Sequence, residues 1–244
     1  MVKYTSVSDI GLIRKENQDD LAILEHNDTL LSVVCDGIGG SNAGTVASHM
    51  CVDLLCKDFL RQSKFESLDD VKYWFKTAIH KVNEQIFKAS LKNINYQGMG
   101  TTLVCVVISK DFNIGFNIGD SRLYRVRNEI LECLSHDQTF AYEMYLRDEI
   151  EARELSTHPK RHILMNAVGI DKHIDFETIN FDKKWDHLLI TSDGLHGYVS
   201  DQDIEAVFKE GDLISRRNQL LHMALNSGGY DNISLVLIEG DHHE

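Results

Sequence analysis

Apolar positions along the chain follow two rhythms. Short runs at 4–8, 21–25 and 30–35 have the length and composition of strands, and the third ends in DGIGG followed by SNAG. From 45 to 60, Val46, Met50, Leu54 and Leu55 recur among charged residues, which predicts an amphipathic helix. From 68 to 91, Val71, Phe75, Ile79, Val82, Ile86 and Phe87 stand at steps of three and four and predict a longer one. Ser67 followed by LDD reads as its N-cap with acids in the first turn. The pattern then changes to period two or to solid apolar stretches at 101–108, 113–117, 122–126 and 130–134, separated by SKD, GD and RN turns. That is an antiparallel meander. Residues 138–168 are polar-rich and irregularly helical, as an inserted flap would be. Strands return at 174–180, 187–191 and 232–239, with helices at 201–209 and 213–226. Strands in runs and helices in long stretches predict an α+β fold in which two antiparallel sheets pack face to face under helices.

Composition narrows the class. The 244 residues suit one domain, with no linker or repeat to divide it and Pro159 the only proline. The longest apolar run, 103–108, is far short of the ~20 residues a membrane span needs, and the N-terminus shows no signal-peptide pattern. Five cysteines without CxxC spacing read as reduced core thiols of a cytoplasmic protein. With 25 Lys and Arg against 38 Asp and Glu the net charge is −13, which excludes ordinary nucleic-acid binding. Neither nucleic acid nor membrane is therefore expected as a partner. The acidic excess fits a solvated surface, or carboxylates gathered around a cation.

The placement of certain Asp residues bears on that choice. Asp36 follows LLSVVC, Asp193 follows LLITS, Asp19 precedes the strand at 21–25, and Asp231 precedes the last strand. Taken singly, each is best read as a strand-end cap. Four together at the ends of segments that should be buried, two followed by Gly (DGIGG, DGLHG), shift the balance towards a shared site. No Lys lies beside them, and no His or Cys stands at metal-ligand spacing. An all-oxygen cluster suits Mn²⁺ or Mg²⁺ rather than zinc, and two such ions would activate water and clamp a phosphoryl group. Arg14, five residues before Asp19, would then grip phosphate; without the cluster it reads as a solvated surface residue.

GLIRKENQD, VVCDGIGGSNAGTVAS, GMGTTL, NIGDSRLYRV, LSHDQTF, ILMNAVG, LLITSDGL and GGYDNISLVLIE occur in that order over 8–239. Together they resemble the metal-dependent protein phosphatase family, the type 2C Ser/Thr phosphatases, in its short bacterial form. The resemblance implies a four-layer α-β-β-α sandwich flanked by helix pairs, as one catalytic domain over 1–240 with a flap within 138–168. It implies Mn²⁺- or Mg²⁺-dependent hydrolysis of phosphoserine and phosphothreonine on proteins phosphorylated by a Ser/Thr kinase, by in-line attack of a hydroxide between two ions, and a monomer. In that scheme Asp36 bridges the ions, Asp193 and Asp231 hold the first, and the Gly37 carbonyl lies on the second. Asp19 supports the cluster, Asp120 of GDSR serves a third, weaker metal, and Arg14 binds substrate phosphate.

The chain also departs from the family pattern. Gln18 stands where many members carry Glu, and Ile38 where animal relatives place a His thought to protonate the leaving oxygen, a role left to solvent or another group. SNAGT replaces a His and a Gly-Glu pair, a surface or outlying change, and SHDQTF keeps Asp137. These departures motivate an alternative class, a catalytically weak, phosphatase-like regulatory or binding module; a hydrolase of small phosphomonoesters is a third reading. Elsewhere, His158 and His162 of HPKRH read as a solvated loop rather than a metal pair. DGIGGSNAG lacks the GK[ST] of a P-loop. Phe75 is expected against the sheet, Trp74 at the helix edge as contact surface, and the terminal DHHE as a disordered end.

Overall fold

Two tight hairpins set the registers on which the sheets are built. Asn27 and Asp28, at φ 49° and 60°, join β2 (Asp19–His26) to β3 (Thr29–Ile38). Asn128 and Glu129, at φ 51° and 64°, join β7 (Arg122–Arg127) to β8 (Ile130–Cys133) in the same way. Successive left-handed residues twist a two-residue turn to match the strands beside it, and Asn and Asp adopt that conformation readily.

The remaining strands are β1 (Lys3–Asp9), β4 (Gly100–Thr101), β5 (Leu103–Ser109), β6 (Asn113–Ile118), β9 (Glu177–Asn180), β10 (His187–Thr191) and β11 (Ile233–Glu239). One antiparallel sheet has the order β1-β11-β10-β7-β8; the other runs β2-β3-β5-β6-β9, with β4 paired to the end of β3. Helices α1 (Ala43–Phe59) and α2 (Leu68–Lys92) cover the second sheet. Helices α4 (Asp193–His196), α5 (Asp201–Ala206) and α6 (Leu213–Asn226) cover the first, and α3 (Phe140–Leu146) lies in the 138–168 segment. This computed structural model describes residues 2–40 and 42–240; Met1, Ser41 and the DHHE tail lie outside the described residues. The α+β sandwich expected from the pattern is the fold adopted. No helix among the described residues is long and apolar enough to cross a membrane.

The solid apolar runs follow from burial on both faces. On β5, Leu103, Cys105 and Val107 face the α1/α2 layer while Val104, Val106 and Ile108 face the opposing sheet. On β11, Leu235 and Leu237 face α6 while Val236 and Ile238 fill the space between sheets. A one-residue slip would exchange the two sets on a strand, so packing pins the register.

Three expectations change. Of 174–180 only 177–180 pairs as a strand, because β6 ends at Ile118 and the chain turns away at Gly119 (φ 97°); Ile174 joins the helix-side core instead. Cys133 is exposed on the edge strand β8, although Cys35, Cys51 and Cys105 are buried as expected. Trp74 is not a surface residue. It sits in the seam between α1 and α2, 4% exposed, with Phe59 and Phe65 ring centroids each 5.5 Å away, and its indole N–H donates to Asp58 Oδ1 at 3.0 Å. A buried indole needs such an acceptor. Trp74→Ala is expected to destabilise the protein by about 3–5 kcal/mol, and Asp58→Ala by about 1 kcal/mol. Urea unfolding checks both, and an unchanged midpoint for Trp74→Ala would return that residue to the surface.

Candidate active site

The two sheets end together at one edge of the sandwich, and their strand ends carry the acids. The β2–β3 register sets Asp19 opposite Asp36. In the facing sheet, β10 leads through Ser192 into Asp193 at the start of α4, and Asp231 lies two residues before the neighbouring β11. Asp120 occupies the β6–β7 turn. The sheets are tied across this edge by the Ser192 hydroxyl, which donates to Asp19 Oδ2 at 2.7 Å, and the Ser234 amide donates to that hydroxyl at 3.0 Å.

Backbone clamps hold each position. The Asp36 amide donates to Thr102 Oγ1 at 2.9 Å, and its carbonyl accepts from the Thr102 amide at 2.8 Å and the Thr101 hydroxyl at 2.9 Å. Thr102 Oγ1 also meets Ser121 Oγ at 2.7 Å, linking the Asp36 clamp to the turn that carries Asp120. Gly37 continues β3 beside Thr101, its amide donating to the Gln18 carbonyl at 3.1 Å. Asn232 secures the loop before β2: its Oδ1 accepts from the Gln18 amide at 2.8 Å, and its Nδ2 donates to the carbonyls of Ile10 and Glu16, both at 2.9 Å.

The electrostatics are those of crowded, poorly solvated acids. Asp19 is 4% exposed, and burial pushes its carboxyl up to about 7 against the help of its serine hydrogen bonds. Asp193 is pushed up to about 6, first by burial and then by Asp231. Asp36 is held well above the carboxylate range by burial and then by Asp19, Asp193, Asp120 and Asp231, so all five acids share one neighbourhood. Asp120 is raised by burial and then by Asp193. Two guanidinium groups bear on them: Arg14 Nη2 donates to Asp231 Oδ2 at 2.6 Å and Nε to the Tyr230 carbonyl at 3.3 Å, and the charge of Arg122 acts on Asp120 against its upward shift.

These donors suit hard divalent cations. The set is all oxygen, its members repel one another, and Asp19 Oδ1 is buried without a hydrogen-bond partner. Among the described residues no three His, Cys, Asp or Glu side chains are drawn together as a finished cage.

Several residues at this edge carried no signal in the sequence. Arg122 holds Asp137 through two bonds, Nε to Oδ1 at 2.8 Å and Nη2 to Oδ2 at 2.7 Å, so the aspartate of SHDQTF is neutralised outside the cluster. His162, expected in a solvated loop, is half-exposed with Nδ1 4.0 Å from Asp193 Oδ2. The segment that carries it is pinned back by bridges between Thr139 and Leu164 and between Thr101 and Val168. Serine and threonine clamps are too common in sequence to be recognised, and His162 reaches Asp193 only through the path of its segment.

A family model described as Protein phosphatase 2C matches residues 14–226. "Serine/threonine phosphatase stp" of Listeria monocytogenes is 32% identical over 238 residues, covering 96% of this chain and 94% of that one. "Protein phosphatase PhpP" of Streptococcus pneumoniae is 30% identical over 241 residues, 97% of each chain. The crystal structure of the Ser/Thr phosphatase Stp1 from Staphylococcus aureus superposes with a TM-score of 0.92 at 31% identity, covering 99% of this chain and 96% of that one. With the family model spanning most of the sequence and these relatives matched almost end to end, the chain belongs to the protein phosphatase 2C family.

Proposed function

We propose that this protein phosphatase removes phosphate from phosphoserine and phosphothreonine of protein substrates with the help of Mn²⁺ or Mg²⁺. One observation carries the reading: five aspartates share a poorly solvated sheet edge and the Arg14 guanidinium stands at its rim. The relatives' names support the substrate class. Asp36 would serve two ions, Asp193 and Asp231 the first, the Gly37 carbonyl the second and Asp120 a third, with Asp19 supporting them. When bound, such ions acidify water towards neutral pH and supply positive charge for the phosphoryl group. The protein's own part is positional. The Thr101 and Thr102 clamp fixes the Asp36 backbone, the Ser192 hydroxyl orients Asp19, and Asn232 holds the loop that carries Arg14. Arg14 is engaged by Asp231. Once the Asp231 charge is neutralised elsewhere, Nη2 is released to grip a phosphate oxygen. Gln18 departs from the family pattern, yet its backbone makes both contacts this site uses, to Asn232 and Gly37.

Hydrolysis of an aryl phosphate should require added Mn²⁺ or Mg²⁺ and vanish with EDTA. Asp36→Asn should lower kcat by at least ~10²-fold while leaving the fold intact; wild-type turnover in that variant would sink the mechanism. Arg14→Ala should act chiefly on KM for phosphopeptides, by roughly tenfold, as the loss of a charged phosphate contact.

The raised carboxyls fix the sign of a stability measurement. Asp19 and Asp193 bind protons more tightly folded, at about 7 and about 6, than in the unfolded chain. Their contribution therefore favours folding at low pH and is lost as pH rises from the ordinary carboxylate range through these values. Metal-stripped protein should melt at a lower temperature at pH 8 than at pH 5.5, and Mn²⁺ should raise the melting temperature more at pH 8. Asp19→Asn should stabilise the stripped protein at pH 8 by about 2–4 kcal/mol while shrinking the Mn²⁺-induced shift. A stripped protein whose melting temperature climbs with pH would contradict the burial of these charges.

A further inference from the structure

Beside Arg14 the surface carries large apolar side chains that the core does not use. Leu12 is 66% exposed, Ile13 63% and Tyr230 53%. Scattered apolar residues on a surface are ordinary, but Leu12 and Tyr230 are brought together by construction, with Ile13 next to Leu12 in the chain. The Leu12 amide donates to the Gly229 carbonyl at 2.8 Å, and Asn232 Nδ2 holds the Ile10 carbonyl at 2.9 Å. The two glycines of GGYD lie directly beneath the apolar groups. A Cβ on Gly229 (φ 52°) would come within 2.8 Å of Leu12 Cγ, and one on Gly228 (φ 122°) within 2.2 Å of the Tyr230 ring. Tyr230 leans on Tyr198, ring centroids 5.4 Å apart, and its carbonyl accepts from Arg14 Nε. Left-handed glycines thus let two loops pack closely, and the product is an apolar ledge continuous with the guanidinium.

We propose that Leu12, Ile13 and Tyr230 form a specificity rim that receives a large apolar side chain one or two positions from the phosphorylated residue of a protein substrate. The inference rests on the phosphatase reading above, and it adds which phosphoproteins are preferred. The occupant follows from continuity with the phosphate contact. Leu12 is two residues from Arg14, and an extended peptide advances about 3.3 Å per residue. A neighbouring side chain therefore reaches the rim while the phosphate stays on Arg14. Such contact is uniform binding, felt in KM rather than in kcat.

The test uses two phosphothreonine peptides that differ only in flanking residues, Gly in one and Leu in the other, assayed for turnover with Mn²⁺ and for equilibrium affinity by fluorescence anisotropy. The wild-type protein should favour the Leu-flanked peptide about tenfold in kcat/KM, through KM, the order expected for burying one aliphatic side chain. Leu12→Ser should erase the preference and leave kinetics on the Gly-flanked peptide within about twofold, and Leu12→Met should retain it. Equal affinity of the wild-type protein for both peptides would overturn the rim, as would a Leu12→Ser variant that weakens both alike. Sedimentation adds one more such outcome: a dimer dissolved by Leu12→Ser, without peptide preference, would assign the patch to a second copy of the chain. Failure of the phosphatase reading looks different, with no turnover of either peptide or of an aryl phosphate while anisotropy still reports the preference or its absence.

Discussion

The structure depends on one electrostatic constraint: five carboxylates share one sheet edge where water is scarce. Burial and mutual repulsion both act to protonate or separate them, and Asp36, at the centre, feels each of the other four. An arrangement of this kind persists only if the backbone beneath it cannot relax. Two sheets, each with strands buried on both faces, provide that rigidity, because no strand can slip without exchanging its core residues for those of the opposite face. The site lies at the strand ends because there the packed layers fix the chain while the last residues are free to project.

The local devices serve the same end. Asp36 is clamped on both its amide and its carbonyl by adjacent threonines, so its side chain is aimed by main-chain contacts rather than by a salt bridge. Ser192 binds Asp19 across the gap between sheets, so the sandwich cannot open there without losing a buried hydrogen bond. Basic side chains are kept at the margins, Arg122 committed to Asp137 and Arg14 to Asp231. Of the described residues, no lysine or arginine is buried among the five acids to neutralise them, so their burial and mutual repulsion are what raise Asp19, Asp36, Asp120 and Asp193. Within the cluster Asp19 Oδ1 stays buried without a hydrogen-bond partner.

What was legible in the sequence follows from how each feature is encoded. Strands and long helices show in the periodicity because burial on a regular element repeats at fixed intervals. The aspartates show because a charged residue at the end of an apolar run is locally anomalous. Trp74 did not show: its neighbours allow either a core or an edge position, and only the approach of α1, with Asp58 facing the indole, decides between them. Asn232 and Thr102 did not show either, since a polar residue that satisfies backbone groups of a distant segment looks like any other polar residue. His162 reaches Asp193 through a segment whose course no local pattern dictates. Pairwise tertiary contacts between short polar side chains are the part of a site that sequence reading recovers last.

The acidic balance gains meaning from the same distinction. Of 38 acidic residues, the five in this cluster, Asp19, Asp36, Asp120, Asp193 and Asp231, are set in a low-dielectric edge, while acids such as Asp53, Glu84 and Asp28 pair with lysines in open solvent. Exposed pairs of that kind contribute about 0–1 kcal/mol each, so most of the net charge neither stabilises the fold nor reports on chemistry. A buried carboxylate raised to about 6 or 7 carries a far larger free energy per charge. Net charge averages the two populations and conceals the difference. Position separates them, because the energy of a charge is set by how much water and how many neighbours it keeps.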